Sequence, residues 1–439
     1  MKGSHPGYEE MRLYFGDLHN HCGISYGHGS LEDALNNARE RLDFCSVTGH
    51  VHWPDMPAVN ERNRHVIKYH REGFSKLRKN WDDLSETRSP IVEIVSMHGC
   101  SETDESARPF LHTMGPSDWE GTAQYGLGLG HVFGFIGSTD HHSAHPGSYG
   151  HGMTGIWAQS LTRREIWQAL KERRTYALTG DRIDLRFLLN GRMMGSVLPP
   201  VKRRAIDLEV RAGGAIDYVD VVKNSRILRR FIMSDVDAGG RETGGIVHTK
   251  LFLQVGWGQT GTRVDWDVTF GITDGRILSV EPRFRGGEIV APLADRDAPP
   301  ERYYFSHWET VDDASVHFRT VTFGNPNVST FGTQGVCLDV EMPRKAGVFL
   351  IVNGKEAEVT LARLMEGARS GYLDEANTSP AWRLHRAPSP REFLWKLHLE
   401  DVQGEGTGRD FYYIRVRQTN NQWAWSSPIF TGIGQSDQG

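Results

Sequence analysis

The chain has 439 residues, 38% hydrophobic and 24% charged, enough apolar material for two or three cores of ordinary composition. Its formal net charge of −5 excludes a global attraction to nucleic acid, and the basic runs Arg71–Lys79 and Lys202–Arg204 read as solvated faces. Four cysteines without CxxC pairing exclude a disulfide framework, no apolar run approaches membrane length, and the polar start lacks a signal; a cytoplasmic protein with reduced thiols is expected, with neither nucleic acid nor membrane as partner.

In chain order, the first predicted strand is the apolar run Leu13–Phe15, which ends in GDLHNH (Gly16–His21). Side chains two apart on a strand point to one face, so His19 and His21 aim at one place. Ser30 is the expected N-cap of a helix over Leu31–Leu42, with Asp33 at its third position and Leu31, Ala34, Leu35, Ala38 and Leu42 along one face. Phe44–Val47 reads as a buried strand with His50 and His52 just past its end, again two apart. Residues 60–86 form a charged helical stretch placed as a lid. Ile91–Val95 is a β-branched strand carrying Glu93 and followed by His98 and Glu102. Residues 103–130, rich in Gly, Pro and Ser, read as a long functional loop. The strand Phe133–Gly137 ends in Asp140, His141 and His142, with Asp140 and His142 on one face. Thr162 caps a helix through Arg174, and Tyr176–Gly180 closes the region. Strands that end in functional groups and lead into loops and helices predict a β/α barrel.

Imidazoles and carboxylates gathered at one place repel each other or stay unpaired unless a cation joins them. Nitrogen and oxygen donors without thiolate suit Zn, Mn or Fe, and so many candidate ligands imply two or three divalent ions. Of the 20 histidines, a large share precedes residue 152, which places this chemistry in the first third of the chain.

The ordered motifs His-x-His, strand-end His, strand Glu and Asp-x-His resemble the PHP (polymerase and histidinol phosphatase) metallohydrolases, most closely the branch containing carbaryl-type carbamate hydrolases. GDLHNH, SLEDALNNAR, SVTGH, STDHH and LTRREIWQALKERRTYALTGDRI carry the likeness over residues 14–183, and FYYIRVRQTNNQWAWSSPIF carries it near the C-terminus. The resemblance implies a distorted (β/α)7-like PHP barrel holding two or three metals. It places His19, His21, His50, Glu93, His98, Asp140 and His142 as ligands, with Glu93 bridging. Two departures favour two metals over three: Gly49 stands where an acid often precedes the second-motif histidine, and His28 is about one residue off the position of a further histidine. His131, His112 and Glu102 are reserve ligands.

From Asp184 the pattern turns to period-two alternation between Gly, Asn and Asp, which predicts β-sandwich structure. The expected division is 1–183 as metallohydrolase domain, 184–260 with 396–432 as β-sandwich, and 261–395 as an inserted β-rich unit. A hairpin is expected to turn at Asn420-Asn421.

The function expected is a metal-dependent hydrolase in which a metal-bridging hydroxide cleaves an ester, carbamate or amide of a small organic substrate. Glu93 and Asp140 take catalytic parts, Asp140 also as proton shuttle, and His52 or His145 protonates the leaving group. Trp53, Phe110, Trp119 and Tyr149 are candidates for lining an apolar pocket. The alternative is a phosphoesterase or phosphodiesterase with the same centre, for which Arg108 is the one loop cation placed to clamp phosphate oxygens. A non-catalytic metal-stabilised binding module is the third class. The β-rich half leaves room for a homo-oligomer interface.

Overall fold

The computed structural model describes residues 7–24, 27–48, 81, 89–110, 118–236, 245–287, 305–324, 332–402 and 409–432. The helical stretch expected over 60–86 falls, except for Trp81, outside them, as do His50, His52, Trp53 and His112.

Strand β1 (Arg12–Asp17) becomes buried toward its C-terminal end. Helix α1 (Leu31–Arg39) starts at Ser30, whose hydroxyl accepts from Asp33 N–H while the Asp33 carboxylate accepts from Ser30 N–H, the reciprocal cap expected from sequence. Its buried residues are Ala34 and Ala38, whereas Leu31 and Leu35 are exposed. Ala34 packs with Cys22, Ala144 and Val47, so the helix approaches through small side chains rather than the leucines. Strand β2 (Phe44–Cys45) pairs in parallel with β1. The pairing explains Gly16 of the first motif, because a Cβ there would overlap the Phe44 ring.

Strands β3 (Ile91–Ser96), β4 (Gly99–Cys100) and β5 (Gly134–Gly137) form a separate three-stranded sheet in the order β4-β3-β5. Helix α2 (Ala123–Gly128) precedes β5, and β6 (Met153–Ala158), α3 (Arg163–Lys171) and β7 (Thr175–Leu178) follow it. Next come β8 (Asp184–Leu189), β9 (Arg192–Met193), β10 (Val197–Leu198), β11 (Arg203–Arg211), β12 (Ile216–Lys223) and β13 (Arg226–Phe231).

These pairings overturn the expected parallel barrel. Of the pairs among β1 to β7 only β1–β2 and β3–β5 are parallel; β6 runs antiparallel to both β1 and β7, and β3 turns straight back into β4. Parallel neighbours need a crossover, usually a helix, between them, and residues 138–152, which join β5 to β6, contain no helix. The fold is therefore not a (β/α)7-like PHP barrel, and the resemblance to PHP metallohydrolases is not upheld.

An antiparallel sandwich follows. It comprises β14 (Ile246–Trp257), β15 (Arg263–Ile272), β16 (Arg276–Pro282), β17 (His307–Asp312), β18 (Ser315–Phe323), β19 (Thr333–Pro343), β20 (Gly347–Val352), β21 (Lys355–Thr360), helix α4 (Leu361–Glu366), β22 (Arg369–Tyr372) and β23 (Pro380–Leu384). Its two sheets, β16-β19-β14-β23-β22 and β17-β18-β15-β20-β21, enclose a core that includes Leu253, Trp266, Phe270, Phe318, Leu338 and Leu350.

After the short helix α5 (Pro390–Phe393), β24 (Leu394–Val402), β25 (Asp410–Gln418), β26 (Trp423–Ser426) and β27 (Ile429–Thr431) return to the first part of the chain. The order β10-β27-β25-β26-β7-β6-β1-β2, with β12 on β25 and β13 on β12, makes one ten-stranded sheet from both ends of the chain. The sheet β24-β11-β8-β9 joins it around Trp157, Tyr176, Phe187, Leu208, Trp395 and Ile414. β25 and β26 form the expected hairpin, with Asn421 at φ +61°. Among the described residues no helix is long and apolar enough to cross a membrane.

Candidate metal centre

The first and last histidine motifs lie side by side. Asp140 N–H donates to His19 O at 2.8 Å, His21 N–H to His141 O at 2.8 Å and Ala144 N–H to His21 O at 3.2 Å, and Asn20 and His141 form a parallel bridge. Asp140 has φ +52°, a left-handed conformation that non-glycine residues rarely adopt and that surrounding bonds must hold. Gly152 is required nearby: its φ is +151° and a Cβ would overlap Ser138 O.

This clasp turns the Asp140 carboxylate onto three imidazoles. Its Oδ1 lies 3.1 Å from His21 Nε2 and 3.3 Å from His19 Nε2, and its Oδ2 lies 3.0 Å from His98 Nε2. The Nε2 atoms of His19 and His21 are 3.2 Å apart, as expected for a pair two residues apart. Glu93 Oε2 meets His19 on its other nitrogen, Nδ1, at 3.0 Å. His142 stacks on His21 at 4.4 Å and donates through Nδ1 to Asp140 O at 2.7 Å. His28 is buried beside this group, its backbone N–H on His142 O at 2.7 Å.

Burial opposes a charged His19, but the hydrogen bond and charge of Glu93, with the charge of Asp140, outweigh it and raise its pKa to about 9. Burial would raise the Asp140 pKa, yet His21 and His98 as donors and the charges of His19 and His142 hold it well below the usual carboxylate range. Asp17, fully buried at the end of β1, is shifted up by burial against four hydrogen bonds. It accepts from Thr139 Oγ1 at 2.5 Å, Gly147 N–H at 2.9 Å, His19 N–H at 3.1 Å and Thr139 N–H at 3.2 Å.

The structure thus brings together His19, His21, Glu93, His98, Asp140 and His142. The other expected site residues lie as follows. His145 is buried beside His141, with ring centroids 5.5 Å apart and Nδ1 2.6 Å from Ser143 O. Tyr149 is buried: its hydroxyl donates to Asp181 Oδ1 at 2.7 Å, and Arg41, Arg283 and Arg285 lie 5.1–5.6 Å from its ring centre. Arg108 donates to Gly150 O at 2.8 Å. Phe110 lies 6.2 Å from the His98 ring, and Trp119 is exposed. Glu102 accepts from Tyr413 Oη at 2.5 Å and from Trp425 Nε1 at 2.7 Å, which ties it to the C-terminal strands. His131 stacks on Trp81 at 5.9 Å.

Sequence reasoning passed over Asp17, although it stands two residues before His19 and four before His21. It also passed over the contact of the sandwich with the loop after His142. There Tyr149 N–H donates to Phe284 O at 2.9 Å, Gly286 N–H donates to Ser148 Oγ at 3.0 Å, and a Cβ at Gly286 would overlap His145.

Residues 147–197, from the loop after the centre through β10, match a family described as "Protein of unknown function (DUF3604)". The chain is 28% identical over 169 residues to an uncharacterized protein of Chlamydia trachomatis, covering 35% of this chain and 27% of that protein. It is also 28% identical over 157 residues to one of Chlamydia pneumoniae, covering 32% and 25%. The matches therefore span about a quarter of those relatives' length. A crystal structure of BcpA, the major pilin subunit of Bacillus cereus, aligns over 60% of this chain and 69% of its own at 10% identity with a TM-score of 0.08, a likeness that carries no argument about fold.

Proposed function

We propose that this protein is a metal-dependent hydrolase that cleaves an ester, carbamate or amide bond of a small organic molecule. One observation carries the reading: His19 Nε2 and His21 Nε2 converge on Asp140 Oδ1 at 3.3 and 3.1 Å. Ligand atoms of these three residues lie within 4.8 Å of one another, and this nitrogen and oxygen set fits Zn, Mn or Fe. His19, His21 and Asp140 would hold one ion, and Glu93, His98 and His142 are the described residues available to a second. When bound, such ions supply Lewis-acid activation of water and stabilise charge on the substrate oxygen.

The side chains prepare this chemistry. Glu93 on Nδ1 of His19 orients the ring so that Nε2 faces inward, the usual arrangement of a ligating histidine and its orienting carboxylate. His142 is oriented in the same way by the Asp140 carbonyl. His98 Nε2 lies 3.0 Å from Asp140 Oδ2, which sets it beside the first three ligands. For the phosphoester alternative the expected clamp is Arg108, which gives one of its five N–H groups to Gly150 O. Four free thiols support a reducing compartment, in line with a cytoplasmic protein.

The test is elemental analysis of the purified chain with assays on p-nitrophenyl phosphate, a p-nitrophenyl phosphodiester, p-nitrophenyl acetate and an aryl carbamate. Bound transition metal with chelator-sensitive carbonyl hydrolysis, lost in His19→Ala and Asp140→Ala, is the expected result. Full activity in those variants refutes the reading. Preference for a phosphorus ester assigns the centre to phosphoester hydrolysis.

A further inference from the structure

Asp17 touches none of the atoms that converge on Asp140 Oδ1, yet its carboxylate gathers the backbone that carries them. It is fully buried, and all four of its hydrogen-bond donors are neutral. A buried carboxylate stays favourable only when its oxygens are well supplied with donors, and neutral donors attract it without supplying a neutralising charge. The donors come from three places. His19 N–H belongs to a converging imidazole residue, Thr139 precedes Asp140 and gives both its hydroxyl and its N–H, and Gly147 lies in the loop beyond His142.

Asp140 is the residue most in need of this restraint, because its left-handed backbone is held from outside. Thr139 Oγ1 also accepts His141 N–H at 3.3 Å, so one hydroxyl braces both sides of Asp140. An asparagine at position 17 would keep the size but offer one acceptor oxygen and an NH2 group, and that NH2 would face existing donors.

We propose that Asp17 is a positioning residue of the metal centre, which sets the separation of His19 and Asp140 and thereby the affinity for the cation without touching it. This rests on the metal-centre reading above. Its reach is the backbone of two converging residues, so its loss should loosen the first ion rather than merely soften the fold.

The experiment titrates the full, metal-free chain with Co(II), followed by absorption, and with Zn(II) in competition with a chromophoric chelator. Wild type is compared with Asp17→Asn, Thr139→Val and Thr139→Ser, and circular dichroism and melting record the fold. Asp17→Asn is expected to weaken binding by about 10–100-fold, the usual effect of losing a partner behind the ligands, and to alter the Co(II) spectrum. Thr139→Val should fall between, and Thr139→Ser, which keeps the hydroxyl, should restore wild-type binding. Equal affinity and an equal spectrum in wild type and Asp17→Asn overturn the proposal. If Asp17→Asn does not fold, Thr139→Val decides: weaker binding at retained fold supports the role, and unchanged binding overturns it. A wild-type chain that binds neither ion overturns the metal-centre reading itself, a result distinct from the variants matching a wild type that binds.

Discussion

Glu102→Gln separates two roles that one buried carboxylate can have. Glu102 follows the third motif closely enough to be a ligand, yet both of its oxygens are used elsewhere: Oε1 accepts the Tyr413 hydroxyl at 2.5 Å, and Oε2 accepts Trp425 Nε1 at 2.7 Å and lies 3.6 Å from Arg415. Gln124 also donates to the Tyr413 hydroxyl at 2.7 Å, so that oxygen already has a donor and needs an acceptor for its own proton. Glutamine preserves volume but turns one acceptor into a donor, and among the described residues Arg415 keeps Asp220, at 3.5 Å, as counter-charge. A buried donor left without an acceptor costs about 1–3 kcal/mol, and a weakened buried ion pair adds to it. Together the loss is roughly 2–4 kcal/mol, or a melting temperature lower by about 5–15 °C for a unit of this size. Differential scanning fluorimetry and elemental analysis on the same samples are the assay. The expected result is a lowered melting temperature at unchanged metal content per folded chain. An unchanged melting temperature with lost metal refutes the reasoning and makes Glu102 a ligand.

Two further outcomes concern other parts of the fold. His385 in the sandwich stacks on Phe252 at 4.6 Å and meets Gln254 Oε1 at 2.9 Å; burial, with Arg383 and Arg283 as like charges, lowers its pKa to about 4. The unfolded chain, with a histidine near 6.5, binds that proton first, so this contribution is whole above pH 6.5 and is lost as pH falls from 6.5 toward 4, up to roughly 3 kcal/mol. Urea melts at pH 7 and pH 4.5 should show a smaller pH dependence for His385→Gln than for wild type, and equal dependence in both excludes His385 as the source. Gly16→Val places a side chain where Phe44 lies and should lower stability by about 1–3 kcal/mol and weaken metal binding. Wild-type melting in that variant would show that the β1–β2 contact is not tight.

The converging residues were legible because strand geometry has a period of two. His19 and His21 need only an extended backbone to face together, and Glu93, His98, Asp140 and His142 follow from the ends of apolar runs. Asp17 had the same signal, an acid two residues before His19, but its meaning rests on Thr139 and Gly147, which lie more than a hundred positions away. The packing of Tyr149 likewise rests on a residue outside its own motif, because Asp181 takes its hydroxyl.

Strand pairing was the part that sequence could not supply. A strand that ends in histidine reads the same whether its neighbour is parallel or antiparallel, so four such ends suggested one barrel when β6 in fact runs antiparallel to β1. The C-terminal segment FYYIRVRQTNNQWAWSSPIF completes the actual arrangement. Those residues form β25–β27, and β26 pairs with β7 in the sheet that contains β1. Ser427 Oγ, just after β26, accepts Phe135 N–H at 2.8 Å and lies 3.1 Å from Thr175 Oγ1, which itself donates to Phe135 O at 2.9 Å. β5, the strand leading to Asp140, is thereby fixed from the far end of the chain, as Glu102 fixes the segment after His98. The imidazoles come from the first third of the sequence, but the backbone that holds them at bonding distance is completed by its last strands.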